Sequence, residues 1–315
     1  MNIVFMGTPD FAVPSLYALI AAGFKPSVVV TRPDLPRGRG QKVEITPVKA
    51  VAQAYHIPVL QPESVKDPAF ISTLSKMEID IMVVVAYRIL PESVYGLAQK
   101  GAFNLHGSLL PAFRGAAPIH RAVMAGVEET GVTTFFLRKE VDTGDVILRA
   151  STPIGANETT GDVYERLMHL GADLVVQTVR MIEQGGIPTS KQDEKLASPA
   201  PKIFPHDCYV DWTKPAQVVH NFIRGLSPFP GARTLLDGKL LKMYRSEVVG
   251  DDLSSQTPGT ILAHAGRLLV ACGTGKVSLT EVQLEGRKRL PASAFLAGNA
   301  DLIGSCLGTN PKKGS

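Results

Sequence analysis

The chain has 315 residues, enough for two domains with cores of their own, and its 44% hydrophobic content and mean hydropathy of +0.09 are those of an ordinary globular protein. Its three cysteines, Cys208, Cys272 and Cys306, form no C-x-x-C pair, which argues against a disulfide framework or a zinc site and fits a reducing compartment. The formal net charge of +4 is unevenly placed: the first 202 residues balance at 20 basic and 20 acidic side chains, so the whole excess lies in the C-terminal third.

In chain order, NIVFM (2–6) reads as a short buried strand closed by Gly7, followed by helical spacing from Phe11 to Ala22. Ser27–Thr31 is a second strand, Thr46–Tyr55 a second helix and Pro58–Leu60 a third strand. A helix over Pro68–Met77 leads to Asp80–Val85, an apolar run without polar alternation, as in a strand buried on both faces. A strand of about Gly101–Leu105 follows, then VTTFFLRK and DVILRA as two more joined by a VDTG turn, then a long amphipathic helix over Glu158–Gln184. Alternating strands and helices predict an α/β domain with a Rossmann-like, mostly parallel sheet over 1–188. Residues 189–207 are polar and proline-rich and read as a linker. Beyond them, a helix at Ala216–Arg224 precedes short strand-like runs split by glycine turns, predicting a small β-barrel over 208–309 and a disordered tail over 310–315. No apolar run approaches the roughly 20 residues of a membrane span, and no basic leader opens the chain; a cytoplasmic monomer is expected.

Ligands of an open α/β sheet bind outside the carboxyl ends of its strands. Asn104 and His106 stand where one strand runs out, and alternation aims both to one side. An amide beside an imidazole suits stabilisation of an oxyanion; equally, Asn104 satisfies backbone at a strand end and His106 packs in a core. Leu109, Leu110 and Pro111 form a stiff apolar turn beside them. Asp142 lies in a single Asp-Thr-Gly turn, either a plain connection or a carboxylate that orients an imidazole. Tyr87 and Arg88 sit just past another strand. The stretch 32–49 is long for a strand-to-helix connection and carries Arg37, Arg39 and Lys42 among glycines, which suits a phosphate-bearing partner or a solvated loop. No G-x-G-x-x-G, Walker lysine or metal-ligand cluster is present.

Taken together, FNLHGSLLPAFRGAAPIHRAVMAG (103–126), ETGVTTFF and VDTGDVI resemble the folate-dependent formyltransferases. GTPDFA, PRGRG, APKI, VDW, IRGLSPFPGA and LEGRKR extend the resemblance over nearly the whole chain. It implies a Rossmann-like catalytic domain and a C-terminal OB-fold-like barrel that binds tRNA. The donor it implies is 10-formyltetrahydrofolate, and the acceptor is the α-amino group of initiator methionyl-tRNA. Asn104, His106 and Asp142 fall on the catalytic trio. Arg88, Ile89, Leu90 and the turn Ser108, Leu109, Leu110 and Pro111 fall on the folate site, although AYRILP is a residue shorter than in many relatives. Arg37, Arg39 and Lys42 fall on the tRNA-recognition loop, and the cluster Arg287, Lys288 and Arg289 is expected to add tRNA contacts. No metal is implied. The competing readings are a formyltransferase acting on an amino-sugar nucleotide, one acting on glycinamide ribonucleotide, a deformylating hydrolase, and a non-catalytic RNA-binding module.

Overall fold

The computed structural model describes residues 1–37, 42–250 and 256–308, with only the backbone of residues 36, 37, 42 and 43. β1 (Ile3–Gly7) leaves through a 3-10 turn into α1 (Val13–Ala21), and β2 (Val28–Val30) follows. The long connection after β2 is not featureless. It holds an antiparallel hairpin, β3 (Leu35–Arg37) and β4 (Lys42–Glu44), with Arg37 opposite Lys42. Arg39 lies outside the described residues. The base of the hairpin is tied down: Lys49 donates to Asp34 and to Gln61 Oε1, and Gln61 Nε2 donates to Asp34 Oδ1 and to the Arg32 carbonyl.

α2 (Pro47–Ala54) starts on Thr46, whose hydroxyl accepts from the Lys49 amide, with proline in the first turn where no intrahelical donor is needed. Then come β5 (Val59–Leu60), α3 (Pro68–Ser75) capped by Asp67, β6 (Ile81–Val85), α4 (Glu92–Tyr95) and β7 (Ala102–His106). α5 (Pro118–Ala125), β8 (Glu129–Phe136), β9 (Val146–Pro153) and α6 (Thr160–Gln184) complete the series. The sheet order is β5-β2-β1-β6-β7-β8-β9, parallel from β5 to β7, with β8 antiparallel to β7. Val4, Met6, Val28, Val30, Met82, Val84 and Ala102 form one core on one face of this sheet. On the other face α6 comes close to β7: a Cβ on Gly171 would stand 2.6 Å from Leu105 Cδ2.

The chain divides into two compact units, Met1–Pro118 with Thr130–Thr152 and Tyr164–Ala200, and Ile119–Glu129 with Pro153–Val163 and Pro201–Ser315. Residues 190–200, part of the predicted open linker, are hydrogen-bonded into the first unit. Ser190 exchanges backbone bonds with Val146, and Ala200 N donates to the Arg114 carbonyl while Arg114 N donates to that of Ser198. Loose composition misleads here because the pairing uses backbone groups, which every residue type carries.

In the second unit α7 (Ala216–Gly225) precedes β10 (Ala232–Leu236), β11 (Lys239–Val249), β12 (Ile261–His264), β13 (Arg267–Ala271), β14 (Lys276–Leu284), β15 (Leu290–Pro291) and α8 (Ala292–Ala297). The strand order β10-β11-β14-β13-β12 is antiparallel throughout, with β15 on β14 and a bulge in β11 near Arg245. This OB-like sheet encloses a core of Trp212, Ile223, Met243, Val270, Val282 and Phe295. The tail beyond residue 308 lies outside the described residues. Among the described residues no helix is long and apolar enough to cross a membrane.

Candidate active site

β7 ends the apolar centre of the first sheet with Asn104 and His106 on one face. Asn104 lies opposite Val84 of the core on that face, and alternation puts His106 on the same side. His106 is 5% exposed, edge-on to Phe135 with ring centroids 6.4 Å apart. Its Nε2 is 2.9 Å from the Phe113 carbonyl oxygen. A carbonyl only accepts, so Nε2 carries a proton and Nδ1 is the atom left for chemistry. Nδ1 faces Asp142 Oδ2 at 3.8 Å, too far for a direct hydrogen bond. Asn104 is half-buried, and among the described residues its side-chain amide has no hydrogen-bond partner.

Asp142 is presented by a tight turn between β8 and β9, in the left-handed region at φ 57°. Gly144 is obligatory in that turn, since a Cβ there would stand 1.6 Å from the Phe136 carbonyl oxygen. The Gly115 amide donates to Asp142 Oδ2 at 2.9 Å, while Gln192 Nε2 donates to the carbonyls of Asp142 and Gly144, both at 2.8 Å. Gln192 Oε1 accepts from Arg114, whose guanidinium also grips both oxygens of Glu194 at 2.8 Å. That hydrogen-bonded pairing raises the Arg114 pKa and lowers that of Glu194. Phe113, at φ 59°, and Ala86, at φ 49°, are two further non-glycine residues in left-handed backbone at the same edge. Such conformations persist where surroundings over-determine them, and functional sites are where they gather.

The turn after His106 is fixed from within. Ser108 is buried and its hydroxyl donates to the Ala112 carbonyl at 2.6 Å, so it holds the turn and is not free for a ligand. Thr133 Oγ1 donates to the Ser108 carbonyl and accepts from the Leu110 amide, and Arg149 Nε donates to the Leu110 carbonyl. The Leu110–Pro111 peptide is cis. Leu110 and Pro111 are buried, leaving Leu109 as the apolar residue of the turn with partial exposure. Arg88 spends Nη1 on the carbonyls of Pro62 and Glu63. Ile89 beside it is 73% exposed, Leu90 is buried, and among the described residues the backbone groups of 88–90 make no hydrogen bonds.

In the second unit Arg287 and Lys288 are exposed and their side chains have no partner among the described residues, whereas Arg289 stacks over Tyr244 at 4.0 Å and pairs with Glu281 at 2.5 Å. Sequence reasoning missed Phe113, Gly115 and Gln192. The first two act through backbone, and Gln192 is 50 positions from Asp142, so no local spacing signals it. Among the described residues no group of three or more His, Cys, Asp or Glu side chains gathers as a metal site.

The formyl transferase family model matches residues 1–179, and the formyl transferase C-terminal domain model matches residues 202–300. A methionyl-tRNA formyltransferase of Moorella thermoacetica is 46% identical over 98% of this chain and 99% of its own. One from Chlorobium luteolum is 48% identical over 95% of this chain and 96% of its own. Among solved structures, WlaRD, a sugar 3N-formyl transferase, shares the fold at TM-score 0.67 and 16% identity, covering 91% of this chain and 99% of its own. HypX from Aquifex aeolicus in complex with tetrahydrofolic acid gives 0.65 and 18%, over 96% of this chain and 48% of its own. With likeness to the sugar enzyme confined to the fold and near-end-to-end identity to the tRNA enzymes, the chain belongs to the methionyl-tRNA formyltransferases of the formyl transferase family.

Proposed function

We propose that the protein transfers the formyl group of 10-formyltetrahydrofolate to the α-amino group of initiator methionyl-tRNA, with Asn104, His106 and Asp142 as the reacting residues. The observation that carries this is the pairing of a partnerless Asn104 amide with an imidazole whose Nδ1 faces a fixed carboxylate. When bound, the donor supplies a formyl group on nitrogen. The acceptor amine, with an ordinary pKa near 8, is already partly neutral at pH 7. Asn104 donates an N–H to the formyl oxygen as that oxygen gains charge. As the new C–N bond forms, His106 Nδ1 takes a proton from the attacking amine and passes it to N10 of the donor while the bond between N10 and the formyl carbon breaks, and Asp142 stabilises the ring as it carries that proton.

The donor fits what the chain offers. The unpaired backbone groups of 88–90 suit the amide edge of a flat heterocycle, and exposed Ile89 and half-exposed Leu109 suit its faces. Ser108 and Pro111 contribute by shaping the turn. We assign tRNA contacts to the hairpin cations Arg37 and Lys42, to Arg39, and to Arg287 and Lys288 of the OB-like unit. Arg289 belongs to the fold of that unit more than to its ligand surface. A single competition assay tests the reading: 10-formyltetrahydrofolate is offered with methionyl-tRNA, glycinamide ribonucleotide and an amino-sugar nucleotide. Formylation confined to methionyl-tRNA is expected. Formylation of either other amine in its place overturns the proposal.

A further inference from the structure

Three polar groups in the first unit stand at the carboxyl ends of parallel strands of one sheet and find no protein partner among the described residues. They are the Asn104 amide on β7, the Tyr87 hydroxyl just past β6 and Arg32 Nε just past β2; the last two atoms are buried. All three belong to one face of the sheet. Tyr87 packs against the core that contains Val28, Val30, Val84 and Ala102, and Asn104 lies opposite Val84. Arg32 continues the alternation of Val28 and Val30, since ladder pairing persists to Thr31, whose amide donates to the Leu60 carbonyl. Buried donors are normally satisfied, so a row of orphans along one edge marks where a ligand supplies the partners.

Arg32 is the member whose chemistry is most selective. A guanidinium is charged at every physiological pH and presents a planar fork of donors that matches an oxyanion. Asp34, the nearest acidic residue in sequence, is already taken by Lys49 and Gln61, and Arg32 has no ion pair among the described residues. A half-buried cation without a counter-charge is costly unless an anion comes to it. We infer that Arg32 binds a backbone phosphate near the 3′ end of the acceptor strand. Three interstrand spacings separate β2 from β7, so Arg32 stands roughly 14 Å from the strand that carries Asn104. Phosphodiesters trail away from the aminoacyl group on that scale. Arg32 is also at the root of the hairpin that carries Arg37 and Lys42, so a strand passing the hairpin meets it next. This assignment rests on methionyl-tRNA being the acceptor; a carboxylate of the folate donor is the alternative source of an oxyanion.

Arg32→Met and Arg32→Lys, assayed beside the unaltered protein, separate these outcomes. For Arg32→Met, the KM for methionyl-tRNA should rise about tenfold or more, as for the loss of one charge-assisted contact, with the KM for 10-formyltetrahydrofolate unchanged. The salt slope of tRNA binding should fall by about 0.7–0.9, one phosphate contact. Its Tm should hold or rise, because an uncompensated charge has gone. Arg32→Lys should recover part of the loss, as a point charge without the fork. A raised KM for the donor with tRNA unaffected places the donor's carboxylate there and overturns the inference. No change in either KM, or a lowered Tm with both KM values raised, overturns it too. If the unaltered protein formylates no methionyl-tRNA, the functional reading itself fails before Arg32 is at issue.

Discussion

Asn104→Ala removes one donor to the developing oxyanion and should lower kcat by about 10²–10³, with little change in the KM for the donor. Near-normal turnover by this variant would take Asn104 out of the chemistry. His106→Ala and Asp142→Ala should be strongly non-additive, because the carboxylate acts through the ring it faces at 3.8 Å. Additive losses in the double variant would mean that Asp142 works independently of His106. Alternation places Asn104 and His106 on one side of a strand end and the Asp-Thr-Gly turn marks Asp142, but their assignment as one trio comes from the resemblance to the formyltransferases, since each local signal has a purely structural reading as well. What holds them was not legible. His106 is steered from its Nε2 side by the carbonyl of Phe113, a contribution that any side chain at that position would make. Asp142 is pinned by the amide of Gly115 and the side chain of Gln192, across the fold and without a sequence signature.

At the scale of elements, strand and helix periods located the first sheet closely, since continuous apolar runs such as Ile81–Val85 admit few alternatives. The shortest elements escaped: α4 and α8 span 4 and 6 residues, too few for a helical period to stand out. The hairpin β3–β4 was hidden by the glycine-rich, basic composition of its connection. Its root now gives a test of its purpose. Lys49→Met removes one of the two side chains that donate to the Asp34 carboxylate, whose pKa the Lys49 hydrogen bond lowers. If the root positions the hairpin for tRNA, the KM for methionyl-tRNA should rise severalfold in steady-state kinetics, with the donor's KM unchanged. Equal effects on both substrates would instead indicate general damage to the sheet edge. α7 offers a different handle. His220 is buried, donates from Nε2 to the Ala156 carbonyl and accepts at Nδ1 from Ser246, with Arg224 and Glu247 as charged neighbours. Burial lowers its pKa, with the Ala156 bond opposing. Below about pH 6.5, the ordinary imidazole value, the unfolded chain takes up this proton first, so stability present above that pH is lost as pH falls. His220→Gln should therefore show a flatter Tm against pH below about 6.5; an unchanged slope would assign the acid sensitivity elsewhere.

For the whole molecule, the charge asymmetry visible in the sequence concentrates the +4 excess beyond residue 202, where the OB-like sheet lies. The structure refines which cations are available. Arg287 and Lys288 are exposed, so neutralising both should reduce the salt slope of tRNA binding by up to about 0.9 per lost duplex phosphate contact. Arg289→Ala should leave that slope almost unaltered and lower Tm, because its guanidinium is spent on Tyr244 and Glu281. An unchanged slope in the double variant would leave Arg287 and Lys288 as solvated surface.

The bonding of residues 190–200 to the edge that carries Asn104, His106 and Asp142 bears on how such enzymes can be cut and rejoined. A chimaera spliced at residue 188, where composition alone would put the seam, inherits Asn104, His106 and Asp142 but takes its Gln192, Glu194 and Ser198 from the other parent. Gln192 braces the Asp142 turn, Glu194 clasps Arg114, and Ser198 accepts from the Phe113 amide that precedes the carbonyl steering His106. A donor of the C-terminal half would thus rewrite the support of the proposed reacting groups without touching any of them. A seam after Ala200 keeps those supports with the residues they hold, but a swap there must carry Ile119–Glu129 and Pro153–Val163 across with Pro201–Ser315, since the three segments form one unit.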